Sequence, residues 1–305
     1  MTNRVANKLV AIASGKGGVG KTVCTANLAL KTAMRHRSLA VDLDISCGNL
    51  NTCLGVKLPT RNINDFITGR AASLPEVWLA TSLETLRLIS CSYRGSEFIS
   101  LDPARKQKIV DSLRAADFDY TFMDLGAGVH PDTLDFFSAA DIRILVTSPE
   151  SLAMHNAFVF VKSAIYRKLF LEFEKERFLE PVRKKLVALI NSNGEVNLEQ
   201  VMCRLRSWDR FSAYIVQGLI DDLKIHVILN MWTDENEKKY VINFYNLVKK
   251  YLSLDVLLLG LVPYDQYIKK SIKEFVPFSL AYPASAAAKT LEEISLKLEK
   301  VLPVN

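Results

Sequence analysis

The stretch from residue 9 to residue 30 limits what this chain can fold into more than any other. It reads LVAIASGKGGVGKTVCTANLAL: an apolar run, a glycine-rich loop, and a segment whose composition suits a helix. Within the loop, Gly15 is followed after four residues by Gly20-Lys21-Thr22, which is the spacing of a phosphate-binding loop. Such a loop lies between a strand and a helix, and the flanking segments are of those two kinds. The pattern therefore predicts a nucleotide-binding α/β fold rather than a flexible turn.

Each residue type in this phosphate loop suits the binding of phosphate. Glycines let backbone N–H groups converge on phosphate oxygens, because no Cβ atom blocks the approach. The helix that begins at the end of the loop points its positive dipole at the same anion. We expect Lys21 to reach the outer phosphates and the hydroxyl of Thr22 to ligate Mg²⁺. The predicted nucleotide-binding residues of the loop are Gly17, Gly18, Val19, Gly20, Lys21, Thr22 and Val23.

Two further apolar segments end in carboxylates. Residues 39–44 read LAVDLD and include Asp42 and Asp44, and residues 119–124 read DYTFMD and end in Asp124. The carboxyl ends of parallel strands lie on the ligand edge of an open α/β sheet. We therefore expect these acids to lie near the phosphate loop. The alternative for the first acidic pair is that it only caps its strand. For Asp124, an apolar strand that ends in an acid is weak evidence by itself and becomes strong evidence together with the phosphate loop.

The sequence GKGGVGKT resembles the variant phosphate loop of the MinD/ParA class of nucleotide-dependent switch ATPases. The resemblance implies that Lys16 reaches across an ATP-bound homodimer to the partner's phosphates. It also implies that Asp44 positions the attacking water, and that Asp42 supports the lysine and the metal. Asp124 would orient the metal's water shell, so Thr22, Asp42 and Asp124 are the predicted metal residues. On this resemblance Lys16, Lys21 and Asp44 form the predicted catalytic set, and ATP or ADP with Mg²⁺ are the predicted cofactors.

Later segments extend the resemblance along most of the chain. Residues 147–150 read TSPE and resemble a turn of the family. Asn230 ends an apolar run in the position where the family places a residue that reads adenine. Pro263 and Asp265 lie in a segment similar to the one beside the base. These three residues join the predicted nucleotide-binding set.

Alternating strands and helices predict a doubly wound, mostly parallel sheet with helices on both faces. We expect one domain over residues 1–305, with a helical insertion at about residues 165–222. From Lys162 to Arg210 there are eleven Lys or Arg residues against seven Asp or Glu residues. Lys162, Lys168, Arg183, Lys184 and Lys185 therefore offer a basic face that either binds an anionic partner, such as a membrane surface or DNA, or is simply solvated.

The resemblance implies a Mg·ATP-dependent dimerising ATPase that hydrolyses slowly and positions or recruits a regulatory or localisation protein. The motifs are most similar to the FlhG/MinD-like branch, which sets flagellar number or placement, or the division site. The alternative is a ParA-type partition protein that binds DNA in its ATP state, whose sign would be a steep salt dependence. Biosynthetic ligases that share the loop would need a substrate pocket that the sequence does not reveal.

Amino-acid composition, net charge and cysteine spacing restrict the class of protein further. Hydrophobic residues make up 49% of the 305 residues and the net charge is +6, as in an ordinary soluble protein. No apolar run approaches the roughly 20 residues of a membrane span. Five cysteines show no CxxC spacing, which argues against the relatives that carry iron–sulfur clusters and against any metal cluster. We expect a cytoplasmic protein, and the resemblance adds peripheral association with the inner membrane or a cell pole.

Overall fold

A computed structural model describes residues 7–44, 48–57, 59–91, 101–192 and 197–301. Within these residues eight strands form one sheet. The strands are β1 Lys8–Ser14, β2 Ser38–Leu43, β3 Leu79–Ala80, β4 Leu86–Ile89, β5 Tyr120–Ala127, β6 Ile142–Thr147, β7 Ile225–Trp232 and β8 Val256–Pro263. Their order across the sheet is β3-β4-β2-β5-β1-β6-β7-β8. Every neighbouring pair is parallel except β3 with β4, so the mostly parallel sheet predicted from the sequence is confirmed.

Helices cover the sheet on both sides. The helices are α1 Lys21–Ala33, α2 Leu50–Cys53, α3 Ile63–Ile67, α4 Pro103–Ala115, α5 Pro131–Ala139, α6 Ser151–Lys175, α7 Glu180–Ser192, α8 Leu198–Trp208, α9 Arg210–Asp221, α10 Lys238–Leu252, α11 Tyr267–Glu274, α12 Phe278–Ala281 and α13 Ala286–Val301. Three short 3-10 turns lie at Leu74–Val77, Arg177–Leu179 and Glu235–Glu237. In the part of the chain that the structure describes, no helix is both long and apolar enough to cross a membrane.

Strand β1 is buried on both faces and separates two hydrophobic cores. Leu9, Ala11 and Ala13 point into the core on the side of α4, α5 and α6. Val10 and Ile12 point into the opposite core, which α1 and α13 cover. This alternation follows from the two-residue period of a strand, and the continuous apolar run of β1 is what burial on both faces requires.

The sheet order places β1 between β5 and β6. From β1 the chain crosses to β2 on one side, and after β5 it crosses to β6 on the other side. A crevice forms outside the carboxyl ends of the strands where such connections diverge. The segment after β1 is the predicted phosphate loop, so the fold places that loop at the usual ligand position of this architecture.

Four consecutive helices, α6 to α9, occupy the region where the sequence predicts helices. Ile165, Leu169 and Phe173 of α6 are buried, and Phe160 packs edge-on against Phe137 with ring centroids 5.0 Å apart. The apolar surface of this region is therefore packed into the core on that side of the sheet. That residues 165–222 are an insertion into the domain stays a prediction.

Several element boundaries differ from the sequence expectation. The run expected to end at Asn230 continues as β7 to Trp232, through Met231 in the left-handed region at φ 62°. The sequence analysis predicts no strand at Leu79–Ala80, where the structure has the short antiparallel strand β3 directly after the 3-10 turn Leu74–Val77. Both differences depend on pairing with a neighbouring strand, which local composition does not report.

Candidate nucleotide-binding site

The phosphate loop joins the end of β1 to the start of α1. Gly18 and Gly20 adopt φ values of 85° and 82°, a region that glycine enters without the steric cost of a Cβ atom. Gly20 precedes the first turn of α1, which has no side-chain cap and no acidic residue. The N–H groups of that turn and the helix dipole therefore suit an external anion.

Two glycines of the loop lie where no larger residue fits. A Cβ atom at Gly15 would lie 2.2 Å from the carbonyl oxygen of Asn156 in α6, and one at Gly20 would lie 2.1 Å from Nδ2 of Asn230. The Asn230 amide is buried and donates a hydrogen bond to the carbonyl oxygen of Val19 at 2.8 Å. The structure thus places Asn230 against the loop itself, and its predicted contact with adenine stays a prediction.

Asp124 in β5 connects three side chains of α1. Its carboxylate accepts hydrogen bonds from Lys21 Nζ, Thr22 Oγ1 and Thr25 Oγ1, each at 2.8 Å. The Lys21 and Asp124 side chains are only 7% and 1% exposed. Lys21 and Thr22 thus meet at the buried Asp124 carboxylate, and the roles of all three in nucleotide and metal binding stay predictions. Thr25 was not predicted, although its spacing of four residues from Lys21 places it on the same helix face.

Asp42 in β2 lies in register beside Asp124. Its carboxylate accepts backbone N–H groups from Asp44 and Leu50, each at 3.1 Å. Burial, followed by the nearby charge of Asp124, raises the pKa of Asp42 well above its ordinary range. A Cβ atom at Gly48 would lie 2.5 Å from Asp42 Oδ2, so glycine at position 48 leaves room for this carboxylate.

These neighbouring carboxylates and the Thr22 hydroxyl form a set of oxygen donors. Oxygen donors with negative charge are what Mg²⁺ prefers in proteins. Two adjacent buried carboxylates repel each other, and a cation near them removes that penalty. Lys21 provides one positive charge at Asp124, and a divalent ion would balance the negative charge that remains on the two carboxylates. The predicted metal residues Thr22, Asp42 and Asp124 therefore fit magnesium by chemistry and by proximity.

Asp44, directly after β2, lies near the loop that follows β5. Its carboxylate oxygen Oδ1 lies 3.8 Å from the position that a Cβ atom would take at Gly126, at the end of β5. Gly128 in the same loop has a φ of 84°, and its N–H donates to the carbonyl oxygen of Ser14 at 2.9 Å. Asp44 thus lies at the crevice beside the phosphate loop, whereas residues 45–47 lie outside the described residues.

Lys16 points away from the buried cluster. Its Nζ forms an ion pair with Glu150 Oε2 at 2.7 Å, and the two side chains are 26% and 61% exposed. Glu150 belongs to the TSPE turn noted in the sequence, but the contact with Lys16 was not predicted, because 134 residues separate the two. Lys16 therefore lies at the surface, in a solvent-exposed ion pair with Glu150.

Pro263 and Asp265 lie at the carboxyl end of the edge strand β8 and two residues beyond it. Pro263 is the last residue of β8 and pairs in register with Trp232. Asp265 accepts the backbone N–H of Tyr267 at 2.9 Å, at the start of α11. Asp265 thus makes a local contact with the backbone at the start of α11, and the predicted contact of both residues with the base stays a prediction.

The described cysteines are free thiols. Cys24, Cys53 and Cys91 are buried and Cys203 is exposed, while Cys47 lies outside the described residues. Burial, followed by the charge of Asp124, raises the pKa values of Cys24 and Cys53 to about 12. Over the described ranges, His, Cys, Asp and Glu side chains form no group of three or more that could hold a metal ion by themselves. A magnesium site at Asp42 and Asp124 therefore needs the Thr22 hydroxyl as a further oxygen donor.

Comparison with known proteins agrees with this geometry. A family model for the CobQ/CobB/MinD/ParA nucleotide binding domain matches residues 10–278. The flagellum site-determining protein YlxH of Helicobacter pylori is 33% identical over 164 residues, which cover 52% of this chain and 54% of that protein. The septum site-determining protein MinD of Helicobacter pylori is 32% identical over 205 residues, covering 64% and 73%.

A solved structure shows the same fold. The septum site-determining protein MinD of Pyrococcus horikoshii, complexed with Mg-ADP, superimposes with a TM-score of 0.62 over 98% of both chains. Its sequence identity to this chain is 20%.

Proposed function

Because this chain belongs to the CobQ/CobB/MinD/ParA nucleotide-binding family, we propose that it is a Mg·ATP-dependent switch ATPase that dimerises around its nucleotide and positions a partner in the cell. One observation carries the proposal. Lys21 and Thr22 of the phosphate loop meet Asp124 at 2.8 Å, with Asp42 in register beside it. This is the arrangement that phosphate and magnesium require of a phosphate-loop protein.

The nucleotide phosphates would be held by the N–H groups of Gly17 to Val23 and by the ammonium group of Lys21. Thr22, Asp42 and Asp124 would hold magnesium, which supplies positive charge against the phosphate oxygens. The hydrogen bond from Asn230 to Val19 keeps the loop in one conformation, so less entropy is lost when a phosphate binds. The Mg-ADP complex of the Pyrococcus horikoshii MinD supports this choice of ligand.

Asp44 would orient the water that attacks the outer phosphate. It lies at the crevice edge, and Gly126 next to it has no side chain to block the approach. A positioned carboxylate of this kind contributes about 10²–10⁴-fold in rate.

Lys16 would act on the phosphates of a second copy. Its position outside the buried cluster suits a charge supplied across a dimer interface. The ion pair with Glu150 is exposed, and exposed pairs contribute about 0–1 kcal/mol, so Lys16 can leave it at little cost.

The relatives support a role in cellular placement. YlxH determines the site of the flagellum and MinD determines the site of the septum, so we propose that this chain has a related role in placement. A ParA-type role in DNA binding receives less support, because several basic residues of helices α6 and α7 form ion pairs within the chain. Arg183 contacts Glu180 at 2.7 Å, and Lys185 contacts Asp209 at 2.9 Å.

Two variants test the switch directly. Asp44→Ala should bind ATP normally, accumulate as a dimer, and turn over about 10²–10⁴-fold more slowly, because only the positioning of water is lost. Lys16→Ala should also bind ATP, but should remain monomeric. Lys238→Ala is the matched control, since Lys238 is also an exposed lysine in an ion pair, 2.6 Å from Glu235.

The measurements are equilibrium nucleotide binding, light scattering and phosphate release with and without Mg²⁺. A dimer that forms equally well in Lys16→Ala would exclude the role across the interface, and normal turnover of Asp44→Ala would make Asp44 structural. Co-sedimentation of the ATP-bound protein with DNA at two salt concentrations separates the ParA-type alternative.

A further inference from the structure

An exposed aromatic patch lies at the corner between helices α8 and α9. Trp208 is the last residue of α8, and Phe211 and Tyr214 lie in the first half of α9. The three residues are 61%, 66% and 79% exposed. Residues three apart on a helix share a face, so Phe211 and Tyr214 form one stripe, and Trp208 lies just before it in the chain. Exposed apolar side chains that cluster in this way indicate a binding surface. These three residues are called the corner patch below.

The backbone beneath the corner patch is held in place by Asp209, the single residue between the two helices. Its carboxylate accepts the backbone N–H groups of Phe211 and Ser212, each at 3.1 Å, and contacts Lys185 of α7 at 2.9 Å. Its own N–H donates to the carbonyl oxygen of Leu205 at 2.8 Å. The aromatic side chains therefore extend from a fixed backbone, so little backbone entropy is lost when a partner binds them.

Gly218 extends the same exposed face along α9. It lies four residues after Tyr214, in the interior of the helix. Among the described residues, no other part of the chain would come within 4 Å of a Cβ atom at Gly218. Glycine weakens the interior of a helix relative to alanine, and here it relieves no contact within the fold. The close approach of a second backbone to this face would explain a glycine at this position.

The corner patch is surrounded by positive charge. Arg204, Arg206 and Arg210 are exposed, and from position 200 to 220 the sequence contains one acidic residue, Asp209. Arg206 donates to the neutral amide group of Gln217 at 3.1 Å, a contact that also fixes the end of α8 beside the exposed face of α9. An acidic partner would therefore complement this surface.

The acidic side chains of the neighbouring segments are already engaged within the chain. They are Glu180 with Arg183, Asp209 with Lys185, Asp221 with Gln217, and Asp222 with Lys168. Helix α10, which contacts α8, contains four lysines and no acidic residue. These elements therefore leave the positive charge of the three arginines in place.

The composition of the corner favours a protein partner over a membrane. Trp, Tyr and Arg dominate the binding energy at protein interfaces, whereas Lys is depleted there. From residue 186 to residue 223 the sequence contains no lysine. Anionic lipid surfaces are typically bound by clusters of about 4–8 Lys or Arg residues, and this corner has three arginines.

We propose that the corner patch binds an acidic, amphipathic segment of a partner protein. Apolar side chains of the segment would cover the three aromatic residues, and its backbone would pass close to Gly218. Its Asp or Glu residues would pair with Arg206 and Arg210, since a guanidinium group and a carboxylate match in charge and in shape. The inference rests on the proposed function for the role of this partner. Its test needs no nucleotide, so the two proposals can fail separately.

A selection from a random peptide library tests this chemistry with a defined probe. Peptides displayed on phage are selected on the nucleotide-free full chain, and those that also bind Phe211→Ala/Tyr214→Ala are removed. The acidity of the surviving peptides is not imposed by this scheme. Trp208 is exposed, whereas Trp78 and Trp232 are half-buried, so tryptophan fluorescence can follow the titration of each peptide. A blue shift that disappears in Trp208→Phe reports contact with the corner patch.

We expect peptides with net negative charge and apolar residues to survive. Their affinity should fall about 10- to 100-fold in Arg206→Glu/Arg210→Glu, because attraction becomes repulsion. Lys269→Glu/Lys273→Glu is the matched control, since it reverses two exposed charges on α11, and it should leave the affinity unchanged. The proposal would be overturned if no peptide survived, if the survivors were neutral or basic, or if both double variants bound them equally.

Gly218→Leu separates docking from folding. Leucine favours a helix more than glycine does, so the variant should unfold at the same temperature as the wild type or higher. Its side chain would fill the space that the peptide backbone needs, so the affinity should fall about 10-fold. Undiminished affinity would count against the proposal. Tyr214-dependent sedimentation with vesicles of phosphatidylcholine and phosphatidylglycerol, with no surviving peptide, would assign the patch to a membrane instead.

Discussion

Replacement of Lys21 by methionine should separate two roles of this residue, in stability and in nucleotide binding. Lys21 Nζ is 2.8 Å from Asp124, and both side chains are almost fully buried. Removal of one partner from a buried ion pair leaves an uncompensated charge and costs about 3–5 kcal/mol. Thr22 and Thr25 still donate to Asp124 in the variant, so we expect a loss near the lower end, about 3 kcal/mol.

The double variant Lys21→Met/Asp124→Asn is the internal control. It removes both charges of the pair, and replacement of a whole buried pair is often close to neutral in stability. We therefore expect the free energy of unfolding to return to within about 1–2 kcal/mol of the wild type. Nucleotide binding should not return, because the ammonium group that contacts the phosphates is still missing.

Urea unfolding without nucleotide measures the first effect, and equilibrium binding of ADP with Mg²⁺ measures the second. Lys16→Met provides the surface comparison and should change stability by at most about 1 kcal/mol, because its pair with Glu150 is exposed. Equal losses of stability in Lys21→Met and Lys16→Met would refute the argument from burial. Restored nucleotide binding in the double variant would refute the phosphate role of Lys21.

Two further predictions concern buried polar groups. Asn230→Ala should lower the free energy of unfolding by about 1–3 kcal/mol and weaken ADP binding, because the Val19 carbonyl loses its hydrogen-bond donor. Urea unfolding and ADP titration measure the two effects. Unchanged ADP affinity would show that the loop does not need this hydrogen bond. Burial, then the charges of Arg143 and Lys224, lower the pKa of His226, although a hydrogen bond that the imidazole donates to the backbone of Arg143 opposes them. The folded protein therefore holds the neutral imidazole while the unfolded chain binds a proton below about pH 6.5, so stability should fall by up to about 1.4 kcal/mol per pH unit as the pH drops through that range. His226→Gln should lose this part of the pH dependence, measured by urea unfolding at pH 7.5 and 5.5, and an identical slope in wild type and variant would contradict the assignment.

Local sequence determined the elements of this protein and their chemistry. The apolar run, the glycine spacing and the helix-compatible segment of residues 9–30 predict a strand, a phosphate loop and a helix, and the structure has β1 and α1 in those places. The acids after the apolar runs predict Asp42 and Asp124 at one edge of a parallel sheet. These predictions succeed because a strand of two-residue period and a glycine-rich turn are properties of neighbours along the chain.

Tertiary structure alone decided which distant residues meet. Lys21 and Asp124 are 103 residues apart, and they come together because the sheet order places β5 next to β1. The amide of Asn230 reaches Val19 across 211 residues, a contact that no local pattern contains. The same holds for Arg143, whose residue type indicates an ordinary charged position. Only the packing of three helices around it shows a buried guanidinium group with a free donor, because burial and partners depend on elements far away in sequence.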